Sequence, residues 1–306
     1  MSGATCPECV NGKHGNCDGS AWDDAADAAT ACTCTHPIVT GPGIYRDLDE
    51  AVYHADTALA PHLGRSLSVS GAKLILDCPA KFAYRRDTGE QVKAVFDFGH
   101  VAHMLILGAG RGVWVVDATD WRKQWTKDAA DTARAAGLVP LLRKDFLVAT
   151  RMRNAVRRHP IASRILSQGT AEVSFYWEDQ LTGVTLRGRV DWLRDNAIVD
   201  VKTTIDASPR GFAKQAANFG YHLQAPMYQD GIEALTGKRL PFVFIAVEKE
   251  APHLVGVYTL DGEALSVGAE KNRAAIDVYA SCESSGVWPA WSDDVEELSL
   301  PRWATY

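Results

Sequence analysis

GRVDWLRDNAIVDVKTT, residues 188–204, carries the pattern on which the fold turns. VTLRGRVDWLRD (184–195) and AIVDVKTT (197–204) read as consecutive strands of a meander, rich in β-branched residues and alternating in polarity. Alternation along the second strand puts Asp200 and Lys202 on one face and Val199 and Val201 on the other. Asp191 ends the preceding strand, so three charged groups are expected to converge at one end of a hairpin. Upstream, AEVSFYWED (171–179) alternates apolar and polar residues, and LTG (181–183) supplies a turn. Downstream, FAKQAANFGYHLQAPMYQDGIEALTG (212–237) is helical, PFVFIAVEKEAPHLVGVYTL (241–260) holds two more strands, and residues 262–285 form an amphipathic helix.

Before the sheet, SLSVSGAKLILDCPAKFAYRRD (66–87) reads as one capped helix, with Ser68 or Ser70 as N-cap and Leu74, Ile75 and Phe82 at helical spacing. FDFGHVAHMLILG (96–108) is a second, more apolar helix, and residues 141–168 add further helix rich in Arg and Lys. Helix, three strands, helix, two strands, helix implies an α/β or α+β core with a mixed central sheet flanked by helices. The chain shows no internal repeat and no extended low-complexity stretch.

With 306 residues, 46% of them hydrophobic, the chain can fill one large core or a core with a small satellite. No apolar run approaches the roughly 18 uncharged residues that span a bilayer, and MSGATCPECV lacks the basic and apolar regions of a secretory signal. A cytoplasmic protein with no membrane partner is the expectation. The formal net charge of −6 argues against a nucleic-acid partner only until it is divided along the chain. Residues 1–50 hold two basic and eight acidic side chains, whereas residues 51–280 hold 29 basic and 25 acidic ones. That mildly basic middle permits a phosphate-binding groove.

Five of the seven cysteines precede residue 35, in CPECVNGKHGNC (6–17) and CTCTHP (32–37), and PIVTGPG (37–43) follows as a breaker. The expected domains are therefore a small Cys/His-rich module at 1–40 and a second domain at 41–306. Cytosolic chains rarely use such spacing for disulfides, and tetrahedral zinc is the natural occupant. Cys6 and Cys9 are the expected first pair, with two of Cys17, Cys32 and Cys34 completing a structural site; His14 and His36 are further candidates. An iron–sulfur cluster is the alternative, and a tail of free thiols the blandest reading.

Three charged groups in one place suit phosphodiester hydrolysis. Carboxylates hold a hard divalent cation, the cation polarises the phosphoryl oxygen, and a lysine offsets charge developing in the transition state. A D-x-K pair alone is commonly an exposed ion pair worth under about 1 kcal/mol. Here it lies in AIVDVK, an apolar strand of the buried kind, and buried charges are costly enough to need a reason.

FDFGHVAHMLILG, EVSFYWEDQLTGVTLRGRVDWL, AIVDVKTT and YHLQAPMYQDGIEALTG follow one another in an order that resembles RecE-type exonucleases of the PD-(D/E)xK superfamily, which includes RecB-like nucleases. The resemblance covers roughly residues 53 to 260. It implies a PD-(D/E)xK nuclease-like core and roles for individual residues. Asp191 and Asp200 match the acidic ligands of Mg2+ or Mn2+, and Lys202 the catalytic lysine. His103, in G-x-x-x-H from Gly99, looks like an additional metal ligand, with His100 as a rival on the same helix. Gln224 and Tyr228 match a Q-x-x-x-Y motif beside the active site, and their i, i+4 spacing independently puts them on one helical face. Ser70, Lys73, Arg85 and Arg86 are candidate DNA contacts, although a solvated helical face would look the same. Glu172 is a candidate further ligand or phosphate contact, or simply an exposed strand residue.

The resemblance further implies a magnesium-dependent 5′ to 3′ exonuclease on linear double-stranded DNA. It would act in phage-type homologous recombination, as a ring-forming homo-oligomer feeding a single-strand annealing recombinase. The alternatives are a RecB-like or CRISPR-associated single-strand exonuclease, an endonuclease, and a catalytically silent DNA-binding adaptor. Only Cys282 lies near the C-terminus, which departs from iron–sulfur nucleases whose cysteines flank the core at both ends. Composition and motif style suit a phage or prophage protein of a high-GC bacterial host.

Overall fold

The computed structural model describes residues 6, 20–23, 26–32, 39–55, 59, 63–88 and 95–301. Its elements in the first third are β1 (Ser20–Asp23), β2 (Ala28–Ala31), β3 (Gly43–Tyr45), α1 (Glu50–Ala55), β4 (Leu67–Ser68), α2 (Val69–Asp77), α3 (Pro79–Thr88) and α4 (Val95–Leu107). Then come β5 (Val113–Val116), α5 (Gln124–Ala135), β6 (Val139–Leu142), α6 (Arg143–Arg158) and α7 (Pro160–Ile165). The meander follows as β7 (Thr170–Glu178), β8 (Thr185–Arg194) and β9 (Ala197–Thr204). Helices α8 (Pro209–Phe219) and α9 (Tyr221–Thr236), strands β10 (Phe242–Glu248) and β11 (Val255–Tyr258), and helix α10 (Gly262–Ser285) complete the order.

The central sheet has seven strands in the path β11-β10-β9-β8-β7-β3, with β4 pairing β8 off that path. The sheet is mixed, as expected: β9–β10 and β4–β8 are parallel and the other pairs antiparallel. The parallel step from β9 to β10 needs a crossover, and α8 and α9 provide it. Both faces of the sheet are covered, which explains why β10, FVFIAVE, reads as a nearly continuous apolar run. On one face Ile198, Phe242, Phe244 and Ala246 pack against Val69 and Ile75 of α2, Phe212 of α8, Leu223 and Met227 of α9, and Ile276 of α10. On the other, Val199, Val201, Ile245 and Val247 meet Ile106 and Leu107 of α4 and Met152 and Val156 of α6. Each such fully buried aliphatic side chain contributes roughly 1.5–3 kcal/mol.

Several local features depart from the sequence reading. Residues 66–87 are two helices rather than one. Ser68 is the N-cap, its Oγ accepting from the Gly71 N–H at 3.2 Å. Pro79 then opens α3, and Cys78 before it is extended at φ −168°, ψ 116° because the proline ring crowds a helical residue in that position. Residues 212–237 also divide, at Gly220 with φ 65°, a left-handed conformation that glycine adopts without strain. β5 and β6 pair in parallel across α5 as a small separate sheet, and β1 and β2 form a hairpin within the Cys-rich segment. No helix among the described residues is long and apolar enough to cross a membrane.

Candidate active site

β9 presents Asp200 and Lys202 toward α9, on the face the alternation predicts. Asp200 is only 2% exposed. Gln224 Nε2, from the first turn of α9, donates to its Oδ1 at 2.6 Å, and Lys202 Nζ lies 2.7 Å from its Oδ2. Burial alone would pull the lysine's pKa down, but the Asp200 and Asp191 carboxylates outweigh it and hold the pKa above its usual value. The ammonium also lies 4.7 Å from the centre of the Tyr221 ring.

Asp191 approaches from β8. Its Oδ2 accepts the Val201 backbone N–H at 2.7 Å and lies 3.4 Å from Nδ1 of His103 on α4. Burial, followed by the neighbouring Asp200 charge, pushes the Asp191 carboxyl well above the usual carboxylate range. Burial chiefly draws His103 down to about 4, so its imidazole is neutral at pH 7 and keeps a lone pair for a ligand. Two crowded carboxylates and a neutral imidazole are a donor set that suits a hard divalent cation, whose charge would relieve the repulsion between the aspartates. Among the described residues no three His, Cys, Asp or Glu side chains are already drawn into a metal-binding cluster; Asp200 is occupied by Lys202 and Gln224 instead.

The sequence reading put Asp191 at the end of its strand, but it lies three residues before the end of β8. The β8–β9 register holds at Arg194↔Ala197, Leu193↔Ile198 and Trp192↔Val199 and goes no further. The Asp191 carboxylate takes the Val201 N–H, so the side chain replaces a ladder bond and the strands open around it. On its other side the β7–β8 register passes from Ala171↔Trp192 to Val173↔Val190, omitting the pair Glu172 and Asp191 between them. Glu172 has φ 54°, a strained value for a side chain of this size. Alternation is broken here too: Val173 packs with the α9 side of the sheet and Ala171 with the α4 side. Arg189 Nε bonds Glu172 Oε2 at 2.8 Å and so keeps the glutamate in place.

α9 is held in position from behind. Pro226 lies inside the helix and cannot donate to the preceding turn. There α10 comes so close that a Cβ on Gly268 would stand 1.6 Å from the His222 carbonyl oxygen. Asn272 Nδ2 donates to Leu223 O at 2.8 Å, which anchors the turn carrying Gln224.

The remaining sequence candidates divide. Tyr228 is buried between Phe175 and Phe242, its hydroxyl reached by the Arg189 backbone N–H. Lys73 Nζ donates to Phe219 O at 2.7 Å and lies 6.0 Å from the Tyr221 ring centre, beside the cluster. Burial and the nearby Lys202 charge lower Lys73 to about 8. Ser70 and Arg85 are exposed on α2 and α3. Arg86 is not brought to the cluster: it pairs with Glu283 at 2.8 Å and Asp87 at 2.9 Å and stacks on Trp288. His100 is engaged by Glu50 of α1 at 2.7 Å, while His103, one turn on, faces Asp191. In the N-terminal segment the Cys6 N–H donates to Cys32 Sγ at 3.1 Å, which brings these two residues together. Cys9, Cys17 and Cys34, with His14 and His36, lie outside the described residues.

Sequence reasoning passed over Tyr221 and Glu50. Tyr221 was accessible, since it opens the helix that carries Gln224. Glu50 offered only an i, i+4 pair with His54, at 3.7 Å, as a local signal; folding alone sets it against His100 and Arg111, at 2.7 and 3.4 Å.

A mixed sheet sheathed by helices, with two aspartates and a lysine meeting at a gap between strands, defines a PD-(D/E)xK-like core. Residues 68–301 match the family described as "PDDEXK-like domain of unknown function (DUF3799)", and the chain belongs to that family. No curated protein sequence matches it. Among solved structures it is similar to an exonuclease candidate from Eubacterium rectale, with a TM-score of 0.57 and 16% identity over 78% of this chain and 92% of that one. This likeness is one of fold. An alkaline exonuclease from Laribacter hongkongensis matches at a TM-score of 0.22 and 13% identity, over 63% of this chain and 96% of that chain.

Proposed function

We propose that this chain is a divalent-metal-dependent deoxyribonuclease, an exonuclease acting on linear double-stranded DNA. The observation that carries the reading is the meeting of Asp191, Asp200 and Lys202 in a buried gap between strands, where two carboxylates crowd each other and one ammonium is held protonated. Asp191, Asp200 and His103 are the residues that would hold Mg2+ or Mn2+. The bound cation would polarise a phosphoryl oxygen and acidify a water. Lys202 opposes the negative charge that grows on the phosphoryl oxygens and orients the attacking oxygen. Gln224 fixes the Asp200 carboxylate, and Tyr228 packs between Phe175 and Phe242 on the same side of the sheet. Lys73, beside Tyr221, and the exposed Ser70 and Arg85 would meet DNA phosphates.

The finer reading follows the RecE resemblance: 5′ to 3′ polarity, a homo-oligomer, and work beside a single-strand annealing recombinase in phage-type recombination. Residues 1–40 would form a zinc module and 41–306 the nuclease domain. The contact between Cys6 and Cys32 supports the module. Metal analysis should find about one zinc per chain on this reading; a brown protein absorbing near ~400 nm would mean an iron–sulfur cluster instead.

End-labelled linear duplex, nicked circle and single strand, each incubated with magnesium or with EDTA, test the activity. Magnesium-dependent loss of the linear duplex alone is expected. Cutting of closed circles would mean an endonuclease, preference for single strands a RecB-like enzyme, and binding without cleavage an adaptor. Lys202→Ala should abolish cleavage while leaving folding and DNA affinity nearly intact, and wild-type cleavage by this variant would refute the assignment.

A further inference from the structure

Residues 143–164 hold seven basic side chains and one acid, Asp145, in a chain whose net charge is −6. They form α6 and α7, whose inner faces bury Ala149, Met152, Val156 and Ala162. Lys144, Arg151 and Arg158 recur every seven residues, so they form one stripe along α6 with steps of roughly 10 Å. Arg157, beside Arg158 in the last turn of α6, and Arg164 on α7 add two more cations near its C-terminal end, and all five are exposed. Arg143 pairs with Asp117 at 3.0 Å, but none of these five has an ion-pair partner among the described residues.

Cations at a helix C-terminus interact favourably with the helix dipole, which accounts for Arg157 and Arg158. It does not account for Lys144 in the first turn, where the dipole opposes a positive charge, or for Arg151 at mid-helix. Five exposed like charges on two consecutive helices, three of them on one ridge, repel one another and call for an external anion. Two large apolar side chains, Leu147 and Ile161, are exposed on these helices, 46% and 41%. They stand fourteen positions apart, too sparse for the continuous core of a protein interface. α6 packs on α4, the helix that carries His103, so the helix bearing the ridge is a direct neighbour of one that lines the candidate active site, at an interaxial spacing of roughly 10 Å.

We infer that the outer face of α6 and α7 is a track for the sugar–phosphate backbone of duplex DNA. This inference rests on the nuclease reading for the identity of the polyanion, and it adds where the duplex lies: along Lys144, Arg151 and Arg158, with Arg157 and Arg164 at the far end. The contacts would be to phosphate and would carry no sequence preference.

The test is binding of a labelled duplex across a range of salt concentrations, with EDTA present so that no strand is cut. Each phosphate contact contributes about −0.9 to the slope of log affinity against log salt. A Lys144→Ala/Arg151→Ala/Arg158→Ala variant that unfolds at the wild-type temperature should show a slope shallower by about 2 to 3 and weaker binding to every duplex sequence. An Arg151→Lys/Arg158→Lys variant should keep the wild-type slope. An unchanged slope in the triple variant, with the wild type binding and cutting DNA, overturns the track and leaves the nuclease reading standing. Competition by polyglutamate as strong as by duplex points to an acidic protein partner and also overturns it. A wild type that neither binds nor cuts DNA overturns both.

Discussion

The two ends of the β8–β9 hairpin are built on opposite terms. Near the turn, three residue pairs keep the antiparallel register, and Leu193 and Ile198 fill the core between them. At the other end the register stops, Asp191 accepts the Val201 N–H, and Asp200 is tied to Lys202 and Gln224. β9 nevertheless stays paired with β10 from Ile198 to Thr204, so the opening is one-sided and Asp200 and Lys202 keep their strand spacing. A sheet can therefore admit charge into its interior without losing a buried backbone bond, provided a carboxylate takes the place of the missing carbonyl. The closed end should carry stability and the open end chemistry.

Substitutions at the two ends sharpen or break that division. At the open end, Asp191→Asn keeps an oxygen for the Val201 N–H while removing the charge. Cleavage should fall by about a thousandfold or more with little change in thermal unfolding. A fully active variant would mean that the open end is only a structural device. At the closed end, Ile198→Ala removes a fully buried side chain and should cost about 2–5 kcal/mol in denaturant unfolding, with little change in rate per folded molecule. Loss of activity without loss of stability there would dissolve the division.

The smallest effect is expected at Glu50, which braces the neighbourhood of Glu172 from α1. Burial would raise its carboxyl, but His100, Arg111 and His54 together hold it down from 4.5 to about 2. A depressed carboxylate stabilises the fold above its unfolded value near 4.5, and that contribution is lost as pH falls through about 2. Glu50→Gln should therefore cost about 1–2 kcal/mol at pH 7, allowing for solvent screening, and the gap to the wild type should close between pH 4.5 and 2. A gap that stayed constant with pH would show that packing, rather than charge, holds α1 in place.

Much of the architecture was legible because its signals are local. Alternation in 171–179 and 197–204 announces strands and sorts Asp200 and Lys202 from Val199 and Val201; the i, i+4 pair Gln224 and Tyr228 announces one helical face. Reading residues 66–87 as one helix gave Pro79 too little weight against a good helical period. The short strands β3 to β6 escaped because their partners lie far away in sequence, and two to four residues carry too little pattern of their own.

The sequence by itself determined which residues carry charge into an apolar strand, which face they share, and in what order the elements arrive, since these follow from period and residue type. Only the tertiary structure decided that Asp191 sits within its strand rather than at its end, that His103 rather than His100 turns toward it, and that Glu172 and Glu50 stand nearby. Those outcomes depend on which strands separate and which helices cover the gap. That is settled by burial and hydrogen bonding among residues distant in the chain, and no local pattern encodes it.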